Sequence, residues 1–404
     1  MLSIRSLYQV GHGPSSSHTM GPAKAAKLVK DGYPHCDSYV ITLYNSLALT
    51  GKGHLTEEAI KESLGDTPVI FLTAIDVKKH PNTLLIQGYQ NDVLVIEKEV
   101  QSTGGGRIVF VGDQTDELHI YPHTTLKEIK KYCKSKHISL HDYVYEVEGE
   151  SIKDFLEHIW EVMRLSIVRG IANHGVLPGP LKMKRKAPDL YGKLKAFEQP
   201  ELVENRLVAS YAFAVSEENA SGGIIVTAPT CGACGVLPAV LYYMHEKHHF
   251  LTKERIINGL AVAGLIGNLI KHNASISGAV AGCQAEIGSA CSMAAAAHAT
   301  LFNLSMDQVE YAAEIAMEHH LGLTCDPING YVQIPCIERN AVAALRAIDA
   351  CGLAYFLTDS RKISFDMVIQ TMYQTGLDMH QSYKETSQGG LAFYFKEDDD
   401  VNCW

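Results

Sequence analysis

SIKDFLEHIWEVM, residues 151–163, places Ile152, Phe155, Leu156, Ile159 and Met163 on one face of a 3.6-residue period, with Ser151 and Asp154 set for a capped start. From here on, strand signals nearly vanish. The segments 204–220, 234–248, 253–271, 287–304, 306–321, 338–357 and 364–381 are rich in Ala and Leu and separated by Gly, Pro or Asn, which predicts a run of helices. The best membrane candidate among them is IINGLAVAGLIGNLI at 256–270. It is shorter than the roughly 20 residues a span requires, carries Asn258 and Asn268, and has no flanking positive cluster, so it reads as a buried helix.

Upstream of this region the period is two. A first helix is expected over 22–31, started by Pro22 and stopped by Gly32. The β-branched runs 38–45, 68–75, 83–89, 93–100 and 107–111 then predict short strands, the third and fourth joined as a hairpin across Gln90, Asn91 and Asp92. The expected fold class is therefore α+β. An N-terminal α+β domain over 1–148 precedes a larger, mostly α-helical domain over 149–404, with the polar stretch 134–150 as the boundary.

Composition narrows the function. Hydrophobic residues make up 46% of the 404 and charged ones 20%, which is the make-up of a folded globular chain. The net charge of −10 offers no basic field to nucleic acid or anionic lipid, so a small-molecule substrate is expected, with neither nucleic acid nor membrane as a partner. The start, MLSIRSLYQVGHGP, has no apolar run suited to secretion, which predicts a cytoplasmic protein. In that reducing compartment ten cysteines point to metal binding or catalysis rather than disulfides.

Three cysteines stand at breaks between the expected helices: Cys283 in AGCQAEIG, Cys325 in LTCDPING and Cys336 in IPCIERN. Thiolates select zinc or iron–sulfur groups, and ligands on loops can converge without disturbing helices. Their spacings match no common zinc-finger or ferredoxin pattern, so spacing alone leaves a cluster and inert buried thiols both open. Cys231 and Cys234 form a C-x-x-C with no second pair and read as mainly structural, while Cys36, Cys133, Cys291 and Cys351 read as packing residues. GHGPSSSHTMGP, residues 11–22, sets hydroxyls and free N–H groups at the positive end of a helix; this suits a carboxylate or phosphate, or merely caps the helix. In LTGKGHLTE, 49–57, glycines beside His54 permit close approach of backbone to a ligand, against the plainer reading of a solvated histidine.

In chain order these stretches resemble the iron–sulfur-dependent L-serine dehydratase family. GPSSSHT-x-GP, LTGKGH, GVLPGPL at 175–181, ENASGG, TAPT, NASISGA at 273–279, MEHHLGLTCDP at 317–327 and QIPCIERNA at 333–341 carry the likeness, which runs from about residue 4 to 392. The resemblance implies that Cys283, Cys325 and Cys336 ligate a 4Fe–4S cluster whose open iron acts on the serine hydroxyl, in a catalytic domain over 149–404. It implies that Ser15, Ser16, Ser17 and His18 bind the substrate near its carboxylate, and that His54 enters the site from the first domain. His54 is the expected base, or the base's hydrogen-bonding partner, with His18 beside it; a thiolate or an iron-bound hydroxide are the other candidates. The products are pyruvate and ammonia, and the assembly is a homodimer.

Three features depart from the family pattern. About 35 residues separate LTGKGH from the hairpin, where longer members carry an insertion. Position 231 is Cys where many members have Asn, and the tail FYFKEDDDVNCW is long. If the terminal-cysteine role extends to it, Cys403 is a fourth metal ligand that caps the open iron until serine displaces it. Three rivals remain at this stage. A pyridoxal phosphate enzyme needs a Schiff-base lysine, and Lys52 is the only lysine in the motifs. A redox sensor would use the same cysteines without turnover. The same scaffold could also act on L-cysteine or a 2-hydroxy acid.

Overall fold

The computed structural model describes residues 1–113, 118–192, 198–357 and 360–396. Cys403 and the acidic stretch 397–400 lie outside them. The α+β layout expected from the sequence is the one observed.

The β-branched runs form one five-stranded sheet. Its strands are β2 (Ser38–Tyr44), β3 (Val69–Leu72), β4 (Thr83–Gln90), β5 (Val93–Gly104) and β6 (Arg107–Phe110), while β1 (Val10–His12) and β7 (Ile224–Val226) pair separately. The order is β3-β2-β4-β5-β6; β2 and β3 are parallel and the other neighbours antiparallel. The expected hairpin is present. Gln90 pairs with Val93, and Asn91 and Asp92 take φ of 50° and 62°, the left-handed pair that matches the twist of two antiparallel strands. Ile41, Leu43, Leu84, Ile86 and Val100 bury one face of the sheet against Ala25, Ala26 and Val29 of helix Gly21–Gly32 and Ile60 of helix Thr56–Leu64.

The larger core is helical. Ile256 to Ile270 are buried apart from the half-buried Asn258, in helix Lys253–Asn273, which packs against the Ala-rich helix Ser289–Leu301. The two asparagines in this apolar run are satisfied: Asn258 accepts from the Tyr145 hydroxyl at 2.6 Å, and Asn268 donates to the Leu2 carbonyl at 2.6 Å. Among the described residues no helix is long and apolar enough to cross a membrane.

The two cores do not divide where the sequence reading cut the chain. Met1, Ile4, Leu7 and Tyr8 belong to the helical core, as do Tyr121, Leu126, Ile129, Leu140, Tyr143 and Val144. The stretch 134–150, expected as a polar boundary, lies mostly in helices Leu126–Lys136 and Leu140–Glu148. Both open on capping boxes, Thr125 with Glu128 and Ser139 with Asp142, and turn their apolar stripes into the helical core. Pairing of β1 with β7 likewise fastens the chain before residue 13 to the helical part, so the turn that follows is held at the seam between the cores.

Candidate active site

Ser15 caps the turn Ser16–Met20, its hydroxyl accepting from the His18 N–H at 3.1 Å, and the turn runs straight into helix Gly21–Gly32. Thr19 ties this turn to the next motif by donating to the His54 carbonyl at 2.6 Å. The ENASGG motif holds it from the other side. The Asn219 amide donates to the Pro14 carbonyl at 2.8 Å, and a Cβ on Gly13 would lie 2.1 Å from Asn219 Oδ1, so only glycine fits.

The two histidines are stacked, with ring centroids 4.4 Å apart, and both are buried. Their tautomers follow from their partners. His54 Nδ1 faces the Thr50 carbonyl at 2.9 Å, which can only accept, so the proton is on Nδ1 and the Nε2 lone pair is free. The Ser46 hydroxyl donates to the Glu385 carbonyl at 2.7 Å and therefore accepts from His18 Nε2 at 3.0 Å. The His18 lone pair is then on Nδ1, where the Ser17 hydroxyl donates at 2.9 Å. Burial lowers the pKa of His54 to about 4; burial, and then the neighbouring His54, hold His18 well below the ordinary range. Both rings are neutral at pH 7.

Both nitrogens lie near Glu385, whose Oε1 is 3.6 Å from His18 Nδ1 and 3.6 Å from the free lone pair of His54 Nε2. Glu385 has a left-handed φ of 57° and is delivered by a backbone bridge: Cys325 N–H donates to the Tyr383 carbonyl and Glu385 N–H to the Cys325 carbonyl, each at 2.8 Å. Burial raises the Glu385 pKa well above the carboxylate range, with Glu286 and Cys283 adding to it.

The cysteines come from three breaks between helices. Cys283 follows the short helix Gly278–Ala281 and the left-handed Gly282, Cys325 lies in the loop after helix Met306–Glu318, and Cys336 begins helix Cys336–Phe356. All three line one pocket together with Ser15, His54, Gly232, Glu286 and Glu385. Donor atoms of Cys283, Glu286 and Cys325 lie within 4.8 Å of one another. NASISGA makes room for them, because a Cβ on Gly278 would sit 2.6 Å from Glu286 Oε2 and 3.0 Å from Cys325 Sγ.

Two of these thiols are held in the neutral form, Cys325 and Cys336. The hydrogen bond with Cys283, and then burial, push Cys325 well up; burial, and then Cys283, do the same to Cys336. Burial also raises Glu286 to about 6. Arg339 stands beside the group, fixed by bonds to the Thr324 carbonyl at 2.6 Å and Asp326 Oδ1 at 2.9 Å. Three converging sulfurs are the donor set of a thiophilic metal, whose charge would replace their protons.

Five of the residues picked from the sequence therefore meet in one pocket: Ser15, His54, Cys283, Cys325 and Cys336. His18 stacks behind His54, while Ser16 and Ser17 are buried in the turn and do not line the cavity. Cys231 is buried against Met20 and also does not line it. Four participants were not picked from the sequence. Glu286 and Arg339 each sit three residues after a singled-out cysteine, a spacing that returns a side chain to the same side of a helical turn and could have flagged them. Ser46 and Glu385 carry no comparable local signal.

Comparison with known proteins divides the chain at another point, inside the five-stranded sheet. Residues 3–69 match the family model of the serine dehydratase beta chain, and residues 73–392 that of the serine dehydratase alpha chain. The chain belongs to the serine dehydratase family. It is 41% identical to L-serine dehydratase 1 of Escherichia coli, over 97% of this chain and 99% of that protein. It is 40% identical to L-serine dehydratases of Haemophilus influenzae and Streptomyces coelicolor, again over 97% of this chain, covering 99% and 98% of theirs. The alignment to the Escherichia coli relative spans 449 positions, more than the 404 residues here, so that relative is the longer protein. In this serine dehydratase the beta-chain match holds His18, Ser46 and His54, and the alpha-chain match holds the three cysteines, Glu286 and Glu385.

Proposed function

We propose that this chain is an L-serine dehydratase, eliminating water from L-serine to give pyruvate and ammonia, with a 4Fe–4S cluster on Cys283, Cys325 and Cys336. The observation that carries the reading is the shared pocket: three buried thiols and the His54 imidazole line the same cavity. The names of the relatives, L-serine dehydratase at about 40% identity over nearly the whole chain, support the substrate. The sulfur donor set, in which burial raises Cys336 and the Cys283 contact and burial raise Cys325, suits a soft metal group and supports the cluster. When bound, the cluster supplies a Lewis acid toward the departing hydroxide.

The chain's own residues do the rest. The cap at Ser15 and the turn behind it receive the substrate carboxylate. His54 Nε2, unprotonated at neutral pH, takes the proton from Cα, and the Thr50 carbonyl holds the ring in the tautomer that leaves this nitrogen free. His18, pinned by Ser17 and Ser46, stacks on His54 and fixes its plane. Burial keeps bulk water from competing. The aminoacrylate formed tautomerises and hydrolyses to the products.

Cys403 as fourth ligand, a homodimer and a cytoplasmic setting belong to the same reading. Deleting residues 401–404 should make the bound iron more oxygen-labile while anaerobic turnover at saturating serine stays intact; unchanged lability removes Cys403 from the scheme. No lysine lines the pocket among the described residues, so a pyridoxal phosphate route has no Schiff-base partner there. The deciding experiment is an anaerobic assay of pyruvate from a panel of amino acids and 2-hydroxy acids. L-serine should be the best substrate; iron-loaded protein that makes no pyruvate from it would overturn the proposal.

A further inference from the structure

The carboxyl group of Glu385 is the least satisfied polar group in the pocket. It is 5% exposed and lines the cavity, yet Oε2 has no hydrogen-bond partner. A buried carboxyl oxygen left this way costs free energy unless something outside the chain completes it.

What is missing can be read from the neighbours. The groups nearest the carboxyl are the lone pairs of His54 Nε2 and His18 Nδ1, each 3.6 Å from Oε1 and too far to bond. Neither can turn a proton toward it. The Thr50 carbonyl fixes the His54 proton on the opposite nitrogen, and Ser46, whose own proton goes to the Glu385 carbonyl, fixes that of His18. The Ser17 hydroxyl proton is directed at His18 Nδ1. The backbone N–H of Ala279 favours the ionised carboxyl, but it leaves Oε2 without a partner. Apart from a proton on Glu385 itself, the side chains of His18, His54 and Glu385 bring acceptors and no donor to this point.

We infer that Glu385 is the receptor for the α-ammonium group of the substrate, so that this residue restricts the pocket to amino acids and turns away their 2-hydroxy counterparts. An ammonium group carries three N–H donors and a positive charge. It completes Oε2, sets Cα next to His54 Nε2, and leaves the serine hydroxyl free to face the cysteine side of the cavity. A 2-hydroxy acid offers one donor and no charge, so it leaves the carboxylate unpaired in a buried site.

The inference rests on the functional reading above, and the test keeps the two apart. L-alanine and L-lactate differ only in ammonium against hydroxyl, and neither can lose a β-hydroxyl, so each serves as a competitive probe against L-serine. In iron-loaded wild-type enzyme L-alanine should compete on the order of 10² more tightly than L-lactate. Glu385→Gln should bring that ratio close to one and raise KM for serine by a similar factor, with iron content retained. Glu385→Asp, which keeps the charge one methylene short, should restore much of the ratio. Equal inhibition of wild-type enzyme by the two probes would overturn the inference without recourse to any variant. So would a Glu385→Gln enzyme that still prefers L-alanine, or a second, non-iron metal stoichiometric with the chain that Glu385→Gln removes. Wild-type enzyme that fails to turn over serine breaks the functional reading instead.

Discussion

The side of the pocket that carries His18, Ser46 and His54 is drawn from turns within residues 15–54, and every one of those side chains has its donors placed by a neighbour. The side that carries Cys283, Cys325 and Cys336 is gathered from three interhelical breaks, and Arg339 stands beside its thiols as a positive charge. The first side is organised by the protein alone. The second brings together thiols of the kind that suit a soft cation. The histidine side should therefore control rate without controlling metal content, and the cysteine side should control both.

The strongest way to break that contrast is on the cysteine side. Serine in place of Cys283, Cys325 or Cys336 should abolish both bound iron and pyruvate formation under anaerobic conditions. Cys231→Ser and Cys351→Ser should keep the iron, since both thiols lie outside the pocket lining. Stoichiometric iron loss from Cys231→Ser would show that the ligand set is drawn wrongly.

On the histidine side, His54→Ala should retain full iron and lower kcat by on the order of 10²–10⁴, the usual contribution of a positioned base. Near-normal kcat in that variant would dissolve the division between the two sides.

Acid should act on stability through buried neutral imidazoles in both cores. His54 in the pocket, and His298 and His320 in the helical part, are each lowered to about 4, all chiefly by burial. Unfolded, they titrate near the ordinary histidine value of 6.5. Between those values the unfolded chain binds more protons, so the stabilisation is complete above about pH 6.5 and lost as pH falls through about 4. Each group contributes up to roughly 3 kcal/mol across that window. Denaturation midpoints measured at pH 7, 5.5 and 4.5 should fall in that order, and His298→Gln should flatten part of the slope while leaving kcat at pH 7 unchanged. A midpoint constant over this range would show that the histidines are charged when folded.

The smallest effect is expected at Ser46. Ser46→Ala removes the bridge between His18 and the Glu385 carbonyl and leaves a buried imidazole N–H unpaired, costing about 1–2 kcal/mol of stability. It should lower kcat about tenfold with iron retained. An unchanged kcat, compared with wild type at equal iron loading, would mean that the His18 tautomer does not matter to turnover.

The sequence carried the sheet and most of the long helices because period-two and 3.6-residue patterns survive in single segments such as 38–44 and 151–163. It carried the cysteines because they stand at helix breaks. Helices Leu126–Lys136 and Leu140–Glu148 escaped because lysines dominate the first and the apolar stripe of each is short, although their capping boxes were in plain view. The β1–β7 pair is three residues a side, too short to show a period, and it is what assigns the first residues to the helical core. Glu385 was beyond local reading altogether. Its position depends on a left-handed backbone and on a bridge to Cys325, sixty residues earlier, neither of which leaves a trace in the letters around it.

The stacking of His18 on His54 has a consequence for the catalytic cycle. Two imidazolium charges 4.4 Å apart would repel by about 4 kcal/mol even at an effective dielectric of 20, and both rings are buried. The two rings together accommodate one proton, never two. With His54 as the proposed base, a proton drawn from Cα of one serine has to be passed on, to the hydroxide that departs as water, before the next can be accepted, so the pair would work as a single-place relay that resets with every turnover.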